Sequence, residues 1–133
     1  MGTLNSFALT MDKLREDLPN IANEAAIDIA AAILSDMLTV TPVDTSKAVS
    51  NWQIGLGTPY TVEREPYYKG RRGSTRLVSS NAALKDGVLA IQQKKPGEPL
   101  YISNSAHYIE DLNDRGNFTH RAALIAKLNL RNV

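Results

Sequence analysis

Two histidines, His107 and His120, and three carboxylates, Glu110, Asp111 and Asp114, come nearest to a reactive grouping in this chain. The histidines lack the close spacing of a metal motif, so their expected place is exposed or at a helix start. Carboxylates on one side of a short helical turn are ordinarily solvated, and only burial or a close charge would tune one as an acid or base. Two glycine-bearing turns, KKPGEP and GRRGST, lack the full glycine–lysine–serine/threonine arrangement that cradles phosphates. GLGTP has too few glycines for a dinucleotide fingerprint. Serines occur near both histidines, but composition alone defines no triad. Cysteine is absent, which removes disulfides, thiolate–metal sites and a cysteine nucleophile. The expectation is a protein without catalytic centre, cofactor or metal.

A second grouping has binding chemistry instead. In GTPYTVEREPYYKGRRGSTRL the cations Arg64, Lys69, Arg71, Arg72 and Arg76 interleave with Tyr60, Tyr67 and Tyr68. Tyrosine and arginine are favoured at protein interfaces. The same mixture can hold a phosphate backbone and stacked bases, and an ordinary exposed loop would also carry it. Prolines and glycines interrupt every periodic pattern here, so residues 57–76 are expected to form a long projecting loop.

The elements that must carry this loop are legible from apolar spacing. Ile21, Ala25, Ile29, Ala32, Ile33 and Met37 recur at intervals of three and four, which predicts a helix over residues 18–39. Ile27 and Leu34 widen the stripe enough for two covering partners. A preceding helix is expected from Thr10, with Pro19 as a kink or a break. The segment TPVDTSKAVSNW closes the long helix: Thr39, Val40 and Thr41 are β-branched, and Pro42 turns Thr41 away from helical geometry. Asp44 is expected to accept from the amides of Ser46 or Lys47 and cap a short turn, with Thr45 beside it. NWQIGLG then reads as a strand with Trp52 and Ile54 on one face, and Trp52 is expected to seal the helix–sheet junction. A ligand-stacking role for Trp52 is the competing reading.

Downstream, a helix over residues 76–92 offers Leu77, Leu84, Val88 and Ile91 as its apolar side, with Gly87 as a weak point. KKPGEP marks a turn. LYISNSA predicts a strand that pairs with residues 52–56 and ends at Asn104 and Ser105. AHYIEDLND reads as a short helix containing Tyr108. Thr119 is the expected cap of a final helix, with Ala122, Leu124, Ile125 and Leu128 inward and Arg121, Lys127 and Arg131 outward. The fold class is therefore α+β: a long N-terminal helix on a small, mainly antiparallel sheet, with further short helices and the basic, aromatic loop.

The chain has 133 residues, 43% of them hydrophobic, which is enough for one core and one domain. Its opening has no basic start followed by an apolar run, so no secretory signal is expected. Asp28 and Asp36 interrupt the most apolar run, so no membrane span is expected. The net charge of +1 is unevenly placed. Residues 1–50 hold three Lys/Arg against seven Asp/Glu, while residues 51–133 hold twelve against seven. An acidic N-terminal side and a basic C-terminal side can orient copies in an assembly.

Two stretches in order, TPVDTSKAVSNW and PLYISNSAHYIEDLNDRG, make the chain resemble a family of small neck and tail-completion (minor tail) proteins of long-tailed double-stranded DNA bacteriophages. The matching residues are Pro42, Val43, Asp44, Thr45 and Trp52, then Ile102, Asn104, Tyr108 and Glu110, over roughly residues 20–116. Family members often carry glycine where Ser46 stands, and a glycine-bearing loop where this chain has LNDRGN. The resemblance implies a virion structural protein, assembled in the host bacterial cytoplasm and placed at the neck or tail. It implies a homo-oligomeric ring around the DNA channel, joining the head connector to the tail, with connector or neck and tail-tube or tail-terminator proteins as neighbours. DNA would pass close by without a base-reading groove. The alternative is a small nucleic-acid-binding module using the loop at residues 60–76.

Overall fold

The long helix is present as α1, Asn23–Val40, in a computed structural model that describes residues 23–109, 112–113 and 118–130. The expected helix from Thr10, Pro19 with its kink or break, and Ile21 lie outside the described residues. Ala25, Ile29, Ile33 and Met37 form one buried row of α1, and Ala26, Ala30, Leu34 and Leu38 form a second. Two buried rows need two partners. These are α3, Arg76–Ile91, and α4, Phe118–Leu130. Between α1 and α3 lie a one-turn helix, α2, Lys47–Ser50, and the strand β1, Trp52–Leu56; the strand β2, Leu100–Asn104, follows α3.

The sheet is a two-stranded antiparallel ribbon in which Trp52 faces Asn104, Ile54 faces Ile102 and Leu56 faces Leu100. The alternation places Trp52, Ile54, Leu100 and Ile102 on the core side, as the period of two requires. The architecture is thus α+β, with the long helix packed on the ribbon and the shorter helices around it. Among the described residues no helix is long and apolar enough to cross a membrane.

Trp52 is the hinge of this packing. It is 1% exposed, and its indole N–H donates to Thr41 Oγ1 at 2.8 Å. Thr41 in turn donates to the carbonyl of Met37, on the last turn of α1. Phe118 of α4 meets the indole edge-on, with ring centroids 5.3 Å apart. Burying this side chain contributes roughly 2–3 kcal/mol of transfer free energy, and the hydrogen bonds relay it to the end of α1. A ligand-stacking role for Trp52 is overturned, because no face of the ring is free.

Helix α3 departs from its expected apolar side. Leu77 is 72% exposed, while the buried positions are Ser79, Ala83, Gly87 and Ile91, spaced by four. Small residues make this face because α3 approaches α1 closely: a Cβ at Gly87 would overlap the Leu34 side chain. Gly87, read in sequence as a weakness, is a point of close contact with Leu34.

Helix α4 differs similarly. Asn113 Oδ1 accepts the Phe118 amide at 3.1 Å, so the start of α4 is held by Asn113, and Thr119 lies inside the helix instead of capping it. Phe118, Ala122 and Ala126 are buried, whereas Leu124 is exposed. Arg121 does not simply project outward: it forms a two-pronged ion pair with Asp36 of α1, both contacts at 2.7 Å. The side chain of Leu128, along with Glu110, Asp111, Asp114, Lys127 and Arg131, falls outside the described residues.

Candidate functional site

Residues 57–75 do not project. They fold back over the body, and polar side chains, all buried but the exposed Asp44, hold their backbone at five successive places. On the outer face of the ribbon, Ser103 Oγ donates to the Tyr60 carbonyl at 3.0 Å, with Ser105 Oγ beside it. Gly55 makes this approach possible, because a Cβ there would overlap the Thr58 carbonyl oxygen. Next, Asn51 grips Arg64 from both sides: its Oδ1 accepts the Arg64 amide at 2.8 Å and its Nδ2 donates to the Arg64 carbonyl at 2.9 Å. The same Nδ2 donates to the Lys47 carbonyl, which ties the clamp to α2.

The third and fourth anchors are serines. Ser50 Oγ accepts the Tyr67 amide, and Ser79 Oγ both accepts the Tyr68 amide and faces its carbonyl. The fifth is Asp44. Its carboxylate accepts the Arg72 amide at 2.6 Å, and its carbonyl accepts the Gly73 amide at 2.9 Å. This corrects the expected local cap. The short helix α2 starts at Ser46 with no side-chain cap, and only Thr45 Oγ1 reaches the Lys47 amide, at 3.4 Å. Asp44 is spent on the turn that carries Arg71 and Arg72. Arg72 itself has a positive φ of 51°, so the turn is fixed in an unusual backbone state.

Ser46 also has a positive φ, 72°, the region where glycine is favoured. Here the serine is kept buried by a 2.8 Å hydroxyl contact with Thr75, at the start of α3.

The other junction residues have separate places. Pro42 is exposed at the end of α1. Asn104 is fully buried: its Nδ2 donates to the Ala48 carbonyl at 2.8 Å, and its Oδ1 accepts the Ala106 amide at 3.0 Å. It locks the end of β2 to α2. Tyr108 is half-buried, with its ring edge-on to His107, and burial pushes its hydroxyl pKa up.

The pinned segment presents two unlike surfaces. Arg64 and Tyr67 are consumed internally: the guanidinium carbon lies 3.4 Å from the centroid of the Tyr67 ring, and the Tyr67 hydroxyl donates to Asp86 at 2.7 Å. Burial first, then the bond to Asp86, pushes the Tyr67 pKa up to about 12. Arg76 is exposed but bonded to the Thr39 carbonyl. By contrast Tyr60 and Tyr68 are about half exposed, at 52% and 53%, and Lys69, Arg71 and Arg72 are exposed too. The expected interface set therefore divides into structural members and a presented face.

One ion cluster edges that face. Glu63 accepts from the amide and the Nδ1 of His107, at 2.8 and 2.9 Å, and pairs with the Lys47 ammonium at 3.2 Å. Burial works to raise the Glu63 pKa, but these hydrogen bonds together outweigh it and hold the carboxyl below its ordinary range. The bond to Glu63 raises the Lys47 pKa in turn. His107 is largely exposed and His120 is exposed. Among the described residues no three His, Cys, Asp or Glu side chains gather as a metal-holding group. No protein-family model, curated protein or solved structure matches this chain.

Sequence reasoning missed Asn51, Ser50, Ser79, Ser103 and Gly55. Their signal was present only as small or amide side chains within strands and helices, or just beside one for Asn51.

Proposed function

We propose that this chain is a virion structural protein, a ring-forming neck or tail-completion component that joins the head connector to the tail around the DNA channel. The observation that carries the reading is the role of Asp44. The aspartate of the PVDT junction holds the turn bearing Arg71 and Arg72, so the junction motif and the presented basic face form one unit. A face already ordered in the free chain loses less conformational entropy on docking than a flexible loop would. Tyr60, Tyr68, Lys69, Arg71 and Arg72 have the composition of a protein-binding surface. The nucleic-acid alternative is weakened by geometry, since Arg64 already occupies one face of the half-buried Tyr67 ring and both are engaged within the chain.

The test is to replace Arg71 and Arg72 with serine in the assembling particle. Their side chains are exposed, so the purified variant should keep the wild-type melting temperature. Particles carrying it should accumulate as unjoined heads and tails in electron micrographs. Normal joining would sink the assignment, and a salt-dependent shift of DNA by the wild-type protein would favour the nucleic-acid module instead.

A further inference from the structure

A second surface adjoins the Arg71–Arg72 turn at Gly73 and Ser74 and lies between the last turns of α1 and the first turns of α3. It is an open groove of about 500 Å³ whose lining includes Leu38, Gly73, Arg76, Leu77, Ser80 and Leu84. Two observations mark it as unfinished. Leu77 stands 72% exposed at its edge, next to the 47%-exposed Val78. The Ser80 hydroxyl is buried and has no hydrogen-bond partner, a state that costs free energy unless a partner completes it.

The opposite end of α1 carries a face of complementary chemistry. Glu24, Ile27, Asp28 and Ala31 follow the i, i+3, i+4, i+7 spacing of one helix side. The two acids are exposed, the two apolar residues pack against the core on their inner side and are half-exposed on the other, and Glu24 and Asp28 enter none of the ion pairs seen among the described residues. This is an amphipathic acidic stripe on a rigid helix, its near end at Ala31 about 12 Å and its far end at Glu24 about 22 Å along the axis from Thr39 at the groove. The two faces cannot meet within one chain, because one straight helix holds them apart.

We propose that the groove takes the Glu24–Ala31 face of α1 from a second copy of this chain, in head-to-tail order. Ile27 and Ala31 would cover Leu77, with the carboxylates of Glu24 and Asp28 against the Arg76 guanidinium. Two different faces of one chain then meet, the heterologous geometry that closes into rings or grows into filaments. The proposal deepens the assembly reading and rests on it for the expectation of self-association, but the side chains it uses, Arg76 and Leu77 of α3, are other than Arg71 and Arg72.

Sedimentation velocity of the full chain over a concentration series tests it, with melting temperatures taken alongside. The wild type should self-associate reversibly. Leu77→Asp, Arg76→Glu, and the pair Glu24→Lys with Asp28→Lys should each weaken association by about ten-fold or more. Combining Arg76→Glu with Glu24→Lys and Asp28→Lys should restore most of it, because the charges are exchanged and not removed. A wild type that stays monomeric, a Leu77→Asp variant that associates normally, or a charge exchange without recovery would overturn the groove assignment. In each of those cases particle joining that still depends on Arg71 and Arg72 would leave the virion role standing. Association through the groove by a chain that never enters particles would do the reverse.

Discussion

Asn51 offers the sharpest perturbation of the pinned segment. Its side chain is fully buried and makes three hydrogen bonds: two with the Arg64 backbone and one with the Lys47 carbonyl. At about 1 kcal/mol net for each neutral bond, Asn51→Ala should cost ~3 kcal/mol. The cavity left by the amide adds to this cost, while water reaching the half-exposed Arg64 backbone offsets part of it. For a domain of this size the loss lowers Tm by roughly 10 °C. Asn51→Asp separates hydrogen bonding from packing. It is nearly isosteric, yet it removes the Nδ2 donor and sets a carboxylate oxygen against two carbonyls, so it should cost at least as much as alanine. Urea unfolding followed by circular dichroism measures both variants. Trypsin adds a local reading, because cleavage after Arg64, Lys69, Arg71 or Arg72 should accelerate in both variants under native conditions. A loss below about 1 kcal/mol for alanine, or an aspartate variant as stable as wild type, would refute the clamp.

Three other perturbations follow from the same geometry. Gly55→Ala should cost about 1–3 kcal/mol in urea unfolding, because the new methyl forces Thr58 off the ribbon; an unchanged midpoint would show that residues 57–62 do not lie there. The Glu63 carboxyl is held below its unfolded value, so its stabilisation is present above the ordinary carboxylate range and is lost as pH falls through the depressed folded value. Urea midpoints of wild type and Glu63→Gln should accordingly converge as the solution is acidified; parallel curves would count against the His107 and Lys47 contacts. Tyr67 has the opposite sign: its pKa is raised to about 12, so its contribution is complete below the ordinary tyrosine value near 10 and disappears as pH climbs toward 12. In an ultraviolet titration the last tyrosinate step should vanish in Tyr67→Phe, and an identical titration curve would contradict the bond to Asp86.

What could be read from sequence was whatever hydrophobic period controls. The 3.6 period of α1, the alternation around Trp52 and Ile54, and the pairing of residues 52–56 with 100–104 all follow from burying one face. The reading failed where small residues do the packing. Leu77 was assigned inward because it is apolar, yet the approach of α3 to Leu34 admits only Ser79, Ala83 and Gly87 on that side. It failed again where a polar side chain serves a distant backbone. Asp44 looks like a local cap in sequence, and nothing in TPVDTSKAVSNW reveals that its acceptor is used by an amide 28 residues later. The basic, aromatic composition of residues 57–76 was visible. Its division into a half-buried Arg64–Tyr67 stack and a presented Arg71–Arg72 turn depends on tertiary contacts alone.

The central claim is that this basic, aromatic segment is a fixed surface in the free protein. Native-state hydrogen exchange of the Arg64, Tyr67, Tyr68 and Arg72 amides tests it most directly, since each donates to a side chain of the body. The four amides should exchange slowly, with opening free energies comparable to those of the β1–β2 ladder. Exchange at the rate of an unstructured peptide, with the ladder still protected, would contradict the account.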